Sequence, residues 1–378
     1  MDTLSSKVLL GILLESRRPA TRTRLMKLLF LVGQQAPVRE AGAFYDFLPY
    51  KYGPYSFAAD RQLRAYAEAG VVVCEPLTKG ERFSIQRATD GELAIAYYKL
   101  PGGVRSAVRL VMGRTEHWTD SQLIRHVYEE YPRYAVLTEL DLPHPERTVA
   151  PPAVYTMGYE GSSIDAYLDA LVRYGIARVV DVRNNPVSRR YGFSGGTLRD
   201  LCERIGVEYE HIPELGIESE YRRGLGRPES YRRLLSWYEV EFLPQRVTQV
   251  MQVAALMTGK PSVLTCFEAD HRMCHRSRLA RRLAEVTRLP VRNLGVAGWQ
   301  NGSACSSRSR RGPCPLRDTL SWCAPQAFWK TVRSSGCTRS TTATGPTISG
   351  TTSTNGLMSM SRNTIPERTN ARRAIDLS

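Results

Sequence analysis

The sequence predicts a mostly parallel, Rossmann-like α/β sheet with helices on both faces over residues 153–294, preceded by a smaller α+β domain of winged-helix type. Two observations predict the sheet. Short apolar, β-rich runs alternate with amphipathic helical segments after residue 153, and chemically capable polar residues follow the ends of those runs. The predicted organisation is a recognition domain at 1–140, a linker at 141–152, a catalytic domain at 153–294 and a disordered or aberrant tail at 295–378.

The first domain opens with apolar residues at helical spacing over 7–14 and 23–32, which predict two short helices. A third helix is expected at 57–69, ending at Gly70. The run VVVCEPLTKGERFSIQ then places two β-rich segments around a Pro/Gly turn, which predicts a hairpin. Helices followed by a hairpin are the element order of a winged helix. A further amphipathic helix is expected at 120–131, closed by Pro132.

The linker is predicted from proline content. The stretch DLPHPERTVAPP contains four prolines, which exclude both a helix and a central strand. Beyond it we expect strands at 154–157, 178–182, 208–212, 262–267 and near 291, and helices at 163–174, 197–205, 230–257 and 275–286. In open sheets of this type the ligand site lies outside the carboxyl edge of the strands.

Composition limits the class of protein and its partners. The 378 residues carry a net charge of +15, but eleven Lys or Arg and three acids lie after residue 294, so that stretch supplies about half of the excess. The rest is mildly basic and gives weak support for nucleic-acid binding. The chain has no signal-peptide pattern and no long apolar run, so we expect a cytoplasmic protein without a membrane partner. It also lacks a CxxC pair, which disfavours a disulfide framework.

Candidate site residues follow the predicted strands, where they are expected to converge in one crevice that binds an anion and performs acid/base chemistry. The candidate catalytic carboxylates are Glu160, Asp181 and Glu268. The candidate substrate-binding residues are Tyr159, Arg183, Asn185, Arg189, Arg190, Tyr191, Phe193, Cys274, His275 and Arg276. Each also has a structural interpretation: Asp181 and Arg183 as a buried pair, His275 as a helix cap, and the cysteines as small buried residues.

The N-terminal part resembles the Panacea (SocA-like antitoxin) domain in KLLFLV, in FLPYKYGPYSFAADRQLRAYAEAGVV and in SQLIRHVYEEYPRYA, over about residues 5–140. The resemblance implies an association with toxin neutralisation and phage-related systems, and hence recognition of a protein or a nucleic acid. The structural alternative is that Tyr50, Tyr52 and Tyr55 simply pack the Pro/Gly turn against the core.

The C-terminal part resembles the domain-of-unknown-function 488 family in YTMGYEGSSIDAYLDAL, in GIARVVDVRNNPVSRRYGFSGGTLRDLCERIGVEYEHIPELG and in VLTCFEADHRMCHRSRLARRLAE. The resemblance implies a cytosolic prokaryotic α/β domain without a settled activity. It also implies these motif positions: Asp181, Arg183, Pro186, Ser188, Arg189, Cys266, Glu268, Cys274, His275 and Arg276. The sequence departs from the family at its end, where VRNL stands in place of an expected strand and histidine.

Two interpretations of the site use its cysteines. A metal site would need Cys266, Cys274 and His275, but their spacing matches no common zinc pattern, and the adjacent side chains of Cys274 and His275 are expected to diverge. We therefore expect neither a metal nor another cofactor. A thiol nucleophile at Cys274 is better placed, because a helix N-terminus with His275 and Arg276 nearby would lower its pKa.

The interpretation that the sequence favours is hydrolysis at a nucleotide. Cleavage of a base from its sugar needs a carboxylate, here Asp181 or Glu268, while arginines hold phosphates and Tyr159, Tyr191 or Phe193 stack on an extruded base. The chain is thus predicted to be a nucleic-acid-directed hydrolase of DNA glycosylase type, acting on DNA rather than RNA in defence against phage. The alternatives are a non-catalytic DNA- or toxin-binding regulatory protein and a desulfurase-like enzyme that uses Cys274.

Overall fold

The structure, a computed structural model, describes residues 3–86, 90–222 and 228–296. All but the first two residues of the predicted tail lie outside these ranges. Among the described helices, none has the length and apolar character needed to cross a membrane. The domain boundary predicted at 141–152 stays a prediction.

The N-terminal region combines helices with two small antiparallel sheets. Its helices are α1 (Leu4–Leu14), α2 (Arg22–Gly33), α3 (Ala36–Glu40), α4 (Phe57–Glu68), α5 (Asp90–Tyr98), α6 (Gly102–Thr115) and α7 (Asp120–Glu130). Its strands are β1 (Ala20–Thr21), β2 (Leu48–Tyr50), β3 (Gly53–Tyr55), β4 (Val72–Pro76) and β5 (Glu81–Ile85). The predicted hairpin is present, because β4 and β5 pair antiparallel and β1 adds to β5. Helices α3, α5 and α6 and strands β1, β2 and β3 were not among the expected elements.

The core of this region is centred on α2, whose apolar residues are buried around its whole circumference. Leu25, Met26, Leu28, Leu29 and Phe30 all have no exposed surface. Such a helix is stabilised by tertiary packing on every side rather than by one amphipathic face. The winged-helix assignment for this region stays a prediction.

The C-terminal region is built on a five-stranded parallel sheet in the order β10-β6-β9-β7-β8. Its strands are β6 (Val154–Gly158), β7 (Arg178–Asp181), β8 (Glu208–His211), β9 (Ser262–Cys266) and β10 (Val291–Leu294). Its helices are α8 (Ile164–Tyr174), α9 (Gly195–Arg204), α10 (Pro228–Trp237), α11 (Val247–Gly259) and α12 (Arg276–Thr287). The predicted alternation into a mixed α/β fold with a parallel sheet is confirmed, and VRNL, which was expected to depart from the family's terminal strand, forms β10.

Helices cover both faces of this sheet because successive residues of a strand point to opposite sides. On β7, Val179 packs in the core formed with α8 and α9, whereas Val180 packs in the core formed with α11 and α12. Strands that are buried on both faces read as continuous apolar runs, which is why 178–182 was recognisable from the sequence.

The single helix expected at 230–257 is wrong. Helix α10 ends at Trp237, a π-helical turn and a 3₁₀ turn follow over Tyr238–Arg246, and α11 starts only at Val247. Pro244 lies in the 3₁₀ turn. Proline has no backbone N–H and its ring clashes with the preceding turn, so a continuous α-helix through this position is not possible without a kink.

Candidate functional site

Three neighbouring strands deliver the candidate residues to the carboxyl edge of the sheet. Gly158 at the end of β6 is in register with Cys266 at the end of β9, and Asp181 at the end of β7 is in register with Thr265. Tyr159 and Glu268 therefore lie on adjacent loops at the same edge. This is the position where open α/β sheets bind their ligands.

Asp181 is completely buried, and its carboxylate oxygens accept hydrogen bonds from neighbouring side chains. The Nε atom of Arg183 donates to both oxygens at 2.8 and 3.0 Å, and the hydroxyl of Tyr209 donates to Oδ2 at 2.7 Å. Arg183 is itself buried and donates onward to the Tyr159 hydroxyl at 2.7 Å and to the Phe193 carbonyl at 2.8 Å. The geometry does not favour the catalytic role expected of Asp181, because a carboxylate without exposed surface positions Arg183 and does not meet a substrate.

The aromatic residues expected to stack on a base are largely engaged with each other. The rings of Tyr159 and Phe193 are stacked at 4.1 Å with an interplanar angle of 8°, and both are buried. The guanidinium of Arg61 lies over the ring of Tyr191 at 4.5 Å. Phe267, which was not among the candidates, is 42% exposed and contacts the edge of Tyr159. Its exposed ring is open to a ligand at this edge.

Two cysteines and a histidine converge where β9 ends and α12 begins. The Nδ1 atom of His275 lies 3.8 Å from the Cys266 sulfur and 3.9 Å from the Cys274 sulfur, and these three atoms all lie within 4.8 Å of one another. We call these residues the Cys/His cluster. The Cys266 thiol also donates to Oε2 of Glu268 at 3.2 Å.

The expectation that the side chains of Cys274 and His275 diverge is therefore wrong. Cys274 has an extended backbone (φ −129°, ψ 140°), whereas His275 is already helical (φ −59°, ψ −26°). Divergence of neighbouring side chains holds within one strand or one helix. Here the backbone changes conformation between the two residues, and both side chains turn towards β9.

The cluster favours one thiolate. Burial opposes ionisation of Cys274, but its contact with Cys266 and the charge of His275 outweigh it and hold the Cys274 pKa well below its usual range. The contact with Cys274, together with burial, raises the pKa of Cys266. Burial also raises the pKa of Glu268, and the nearby Cys274 thiolate adds to that shift. His275 is buried, which lowers its pKa, yet the thiolate of Cys274 raises it overall.

The loop that carries Glu268 is held in place from two sides. The buried guanidinium of Arg276 donates to the carbonyls of Glu268 and Ala269, and the carboxylate of Glu160 accepts from the Ala269 N–H at 3.0 Å. Gly158 lies directly beneath this loop, where an added Cβ would stand 1.8 Å from the Glu268 carbonyl oxygen. Arg276 therefore fixes the loop, and only glycine fits at position 158.

A cavity of about 340 Å³ opens beside the cluster, and we call it the edge cavity. Its lining includes Arg183, Asn185, Ser188, Arg189, Cys266 and His275. A larger cavity of about 770 Å³ is lined by Glu160, Arg190, Tyr191 and Phe193, among others. The candidate residues thus divide between two cavities, and the edge cavity is the one with the Cys/His cluster in its wall.

Sequence reasoning missed Tyr209, Gly158 and Phe267. Tyr209 lies on β8 beside β7, and a tyrosine on the strand next to Asp181 was the available signal. Gly158 is the last residue of β6. A glycine in a strand often indicates that another backbone segment approaches it closely, and this was the available signal. Phe267 directly follows β9 and gave no signal beyond that position.

The family comparison bears on the C-terminal region. A family model described as "Domain of unknown function DUF488" matches residues 163–283, a span that contains Asp181, Arg183 and the whole Cys/His cluster. The match covers less than half of the chain. Comparison with curated proteins and with solved structures gave no match. The expected resemblance of the C-terminal part is confirmed over the matched span.

Proposed function

We propose that the C-terminal region is a hydrolase that acts on a nucleic-acid or nucleotide substrate bound in the edge cavity. One observation carries the proposal: this cavity at the carboxyl edge of the sheet is lined by arginine side chains and by Cys266, and the thiol of Cys266 is hydrogen-bonded to the carboxylate of Glu268 just behind the wall. Guanidinium groups bind phosphate in bidentate fashion, and a partly buried carboxylate serves as an acid or base.

Base excision, the glycosylase reaction, is the specific chemistry that we propose. Glu268 takes the part of the carboxylate that positions water and stabilises the oxocarbenium-like sugar. Arg189, Asn185 and Ser188 would bind the phosphate and sugar, and Phe267 would stack on the extruded base. In this assignment Asp181 is a positioning residue that orients Arg183.

The N-terminal region is proposed to act as the recognition module. It contains a three-stranded antiparallel sheet with surrounding helices, and we propose that it is a winged-helix-like, Panacea-like domain that binds DNA or a protein partner. We propose that this module directs the enzyme to phage or mobile DNA in the cytoplasm. A chain that binds DNA or a toxin without catalysis is the regulatory alternative.

A thiol-dependent enzyme is the second candidate, because the Cys274 thiolate lies beside His275. The argument against it is that a substrate cannot easily reach the Cys274 sulfur. Cys274 is only 1% exposed, and Cys266 rather than Cys274 lines the edge cavity. A thiolate that attacks a substrate has to reach that substrate.

Strand cleavage at abasic sites tests the proposal. The purified protein is incubated with plain and base-modified DNA, single- and double-stranded, and then heated in alkali. We expect breaks with the wild type and with Cys202→Ser, a control at a buried cysteine outside the cluster, but not with Glu268→Gln. Breaks that persist in Glu268→Gln would overturn the role of Glu268. DNA retention without breaks in any variant would favour the regulatory alternative.

A further inference from the structure

We infer that Cys266, Cys274 and His275 bind a Zn²⁺ ion beside the edge cavity, with the fourth coordination position open towards that cavity. The two sulfurs and Nδ1 of His275 lie within 4.8 Å of one another, and all three residues are buried. Thiolate and imidazole are the donors that Zn²⁺ prefers, and three protein ligands with one open position are typical of catalytic zinc sites.

The separations fit a tetrahedral ion closely. With Zn–S bonds of about 2.3 Å and a Zn–N bond of about 2.0 Å, a sulfur and a nitrogen bound to the same ion stand roughly 3.6 Å apart. Nδ1 of His275 lies 3.8 and 3.9 Å from the sulfurs of Cys266 and Cys274. These two separations therefore need to close by only a few tenths of an ångström, and the two sulfurs, which lie within 4.8 Å of each other, need to approach to about 3.8 Å.

The orientation of His275 is a second, independent observation. Its Nε2 is 3.0 Å from the carbonyl oxygen of Val182, which accepts the Nε2 proton, so on loss of the Nδ1 proton the ring would present its Nδ1 lone pair to a metal between the sulfurs. Metal-binding histidines almost always donate their other N–H to a carbonyl or carboxylate, which fixes the tautomer and the ring orientation. A helix-capping histidine does not need this arrangement.

Glu268 completes the arrangement. It follows the first ligand by two residues, and its Oε2 lies 3.2 Å from the Cys266 sulfur, so a water bound to the same ion would be within its reach. Zinc deaminases of nucleobases use the same donor types, a histidine and two cysteines, with a glutamate as the proton carrier near the metal-bound water. We assign that proton-carrying role to Glu268 here.

The chemical step rests on the proposed function, whereas metal binding does not. A zinc ion held by these three residues would lower the pKa of a water, Glu268 would accept that water's proton, and the water oxygen would attack the substrate carbon that is bonded to nitrogen. A C–O bond forms and the C–N bond breaks. The departing nitrogen takes the proton that Glu268 holds, so no oxidant or further co-reactant is needed.

Metal content tests the site directly. The full chain, purified without chelators, is analysed for metals by mass spectrometry. We expect a stoichiometric amount of zinc in the wild type and in Cys202→Ser, and its loss in Cys266→Ser and Cys274→Ser. Replacement by Co²⁺ should give the sulfur-to-cobalt charge-transfer absorption and the visible bands of a tetrahedral ion. Equal zinc in all four proteins would overturn the assignment.

A measurement on the unmutated chain guards against variants that fail to fold. The protein, with and without added Zn²⁺, is treated with iodoacetamide and the labelled peptides are quantified. We expect zinc to protect Cys266 and Cys274 from alkylation by at least about tenfold while the exposed Cys74 is unaffected. Zinc-insensitive labelling, or a Cys266–Cys274 disulfide in the purified chain, would overturn the site.

The proposed hydrolase activity and the proposed zinc site can be disproved independently of each other. If the cluster binds zinc but no nucleic acid is cleaved, the metal site is supported and the hydrolase proposal is wrong. If cleavage continues after complete removal of zinc, the hydrolase proposal is supported and zinc has no part in the reaction. Cleavage that disappears with zinc and returns on its re-addition is the result we expect.

Discussion

Asp165 in the first turn of α8 caps helix α4, which lies more than one hundred residues earlier in the chain. Its carboxylate accepts hydrogen bonds from the Ser56 hydroxyl at 2.8 Å and from the backbone N–H groups of Phe57 and Ala58 at 2.7 and 3.0 Å. The first N–H groups of a helix have no partner within the helix. A residue of the α/β region thus satisfies the N-terminus of a helix in the N-terminal region.

Replacement of Asp165 by Ala should destabilise the protein by at least about 2 kcal/mol, because it leaves buried donors of Ser56, Phe57 and Ala58 without an acceptor. Urea unfolding followed by circular dichroism measures the change. Asp200→Ala, at an exposed aspartate on α9, is the matched control and should lie close to the wild type. Equal midpoints for the two variants would contradict the capping role.

The stability contributed by Asp165 should depend on pH. Burial raises its pKa from the usual 3.8 to about 7, against the opposing hydrogen bonds. A raised pKa means that the folded chain holds this proton more tightly than the unfolded chain, so the contribution is full below pH 4 and is lost as the pH rises through 7. Relative to Asp165→Asn, the unfolding free energy of the wild type should fall by up to about 1.4 kcal/mol per pH unit in this window. A pH-independent difference would refute the shift.

The position of the candidate site was predictable, whereas the roles of its residues were not. Alternating strands and helices place Tyr159, Asp181 and Glu268 at one edge of the sheet from sequence alone. Whether Asp181 is open or sealed depends on the hydroxyl of Tyr209 and on the path of the Arg183 side chain. Those are features of packing between strands, which periodicity does not encode.

The geometry of the Cys/His cluster could not be predicted from the sequence either, because it depends on the backbone conformation. The convergence of Cys274 and His275 depends on a change from extended to helical dihedral angles between them, and sequence spacing alone did not indicate it. The break in the expected 230–257 helix is different. Pro244 is visible in the sequence, and a proline inside a helical segment predicts a break or a kink there.

Gly158→Ala should disrupt the loop that carries Glu268. The new Cβ would overlap the Glu268 carbonyl oxygen, so the loop has to move away from the sheet edge. We expect a lower melting temperature and faster alkylation of Cys266, measured by peptide mass spectrometry. Gly196→Ala on α9 is the control, since a Cβ there meets nothing within 4 Å. Unchanged labelling of Cys266 in Gly158→Ala would show that the loop tolerates the side chain.

Loss of the Asp181 charge should lower the stability of the protein more than loss of the Tyr209 hydroxyl that donates to it. Asp181→Asn removes the charge opposite a buried guanidinium and should cost about 3–5 kcal/mol of unfolding free energy. Tyr209→Phe removes one hydrogen bond to the same carboxylate and should cost about 1 kcal/mol. Chemical denaturation of both variants makes the comparison. A smaller loss for Asp181→Asn than for Tyr209→Phe would argue against a structural ion pair.

Arg189→Ala should weaken binding of nucleic acid without weakening the fold. Arg189 is exposed and lines the edge cavity, so its loss removes a phosphate contact while the core is untouched. Each lost phosphate contact reduces the slope of log affinity against log salt by about one, and the affinity for different sequences should fall evenly. Fluorescence anisotropy with labelled oligonucleotides over a range of salt concentrations measures both effects.

Arg232→Ala on α10 removes the same charge outside that cavity and should leave the slope unchanged. If the two variants show the same slope, the edge cavity does not contact phosphate through Arg189, and long-range attraction by the overall positive charge accounts for the binding.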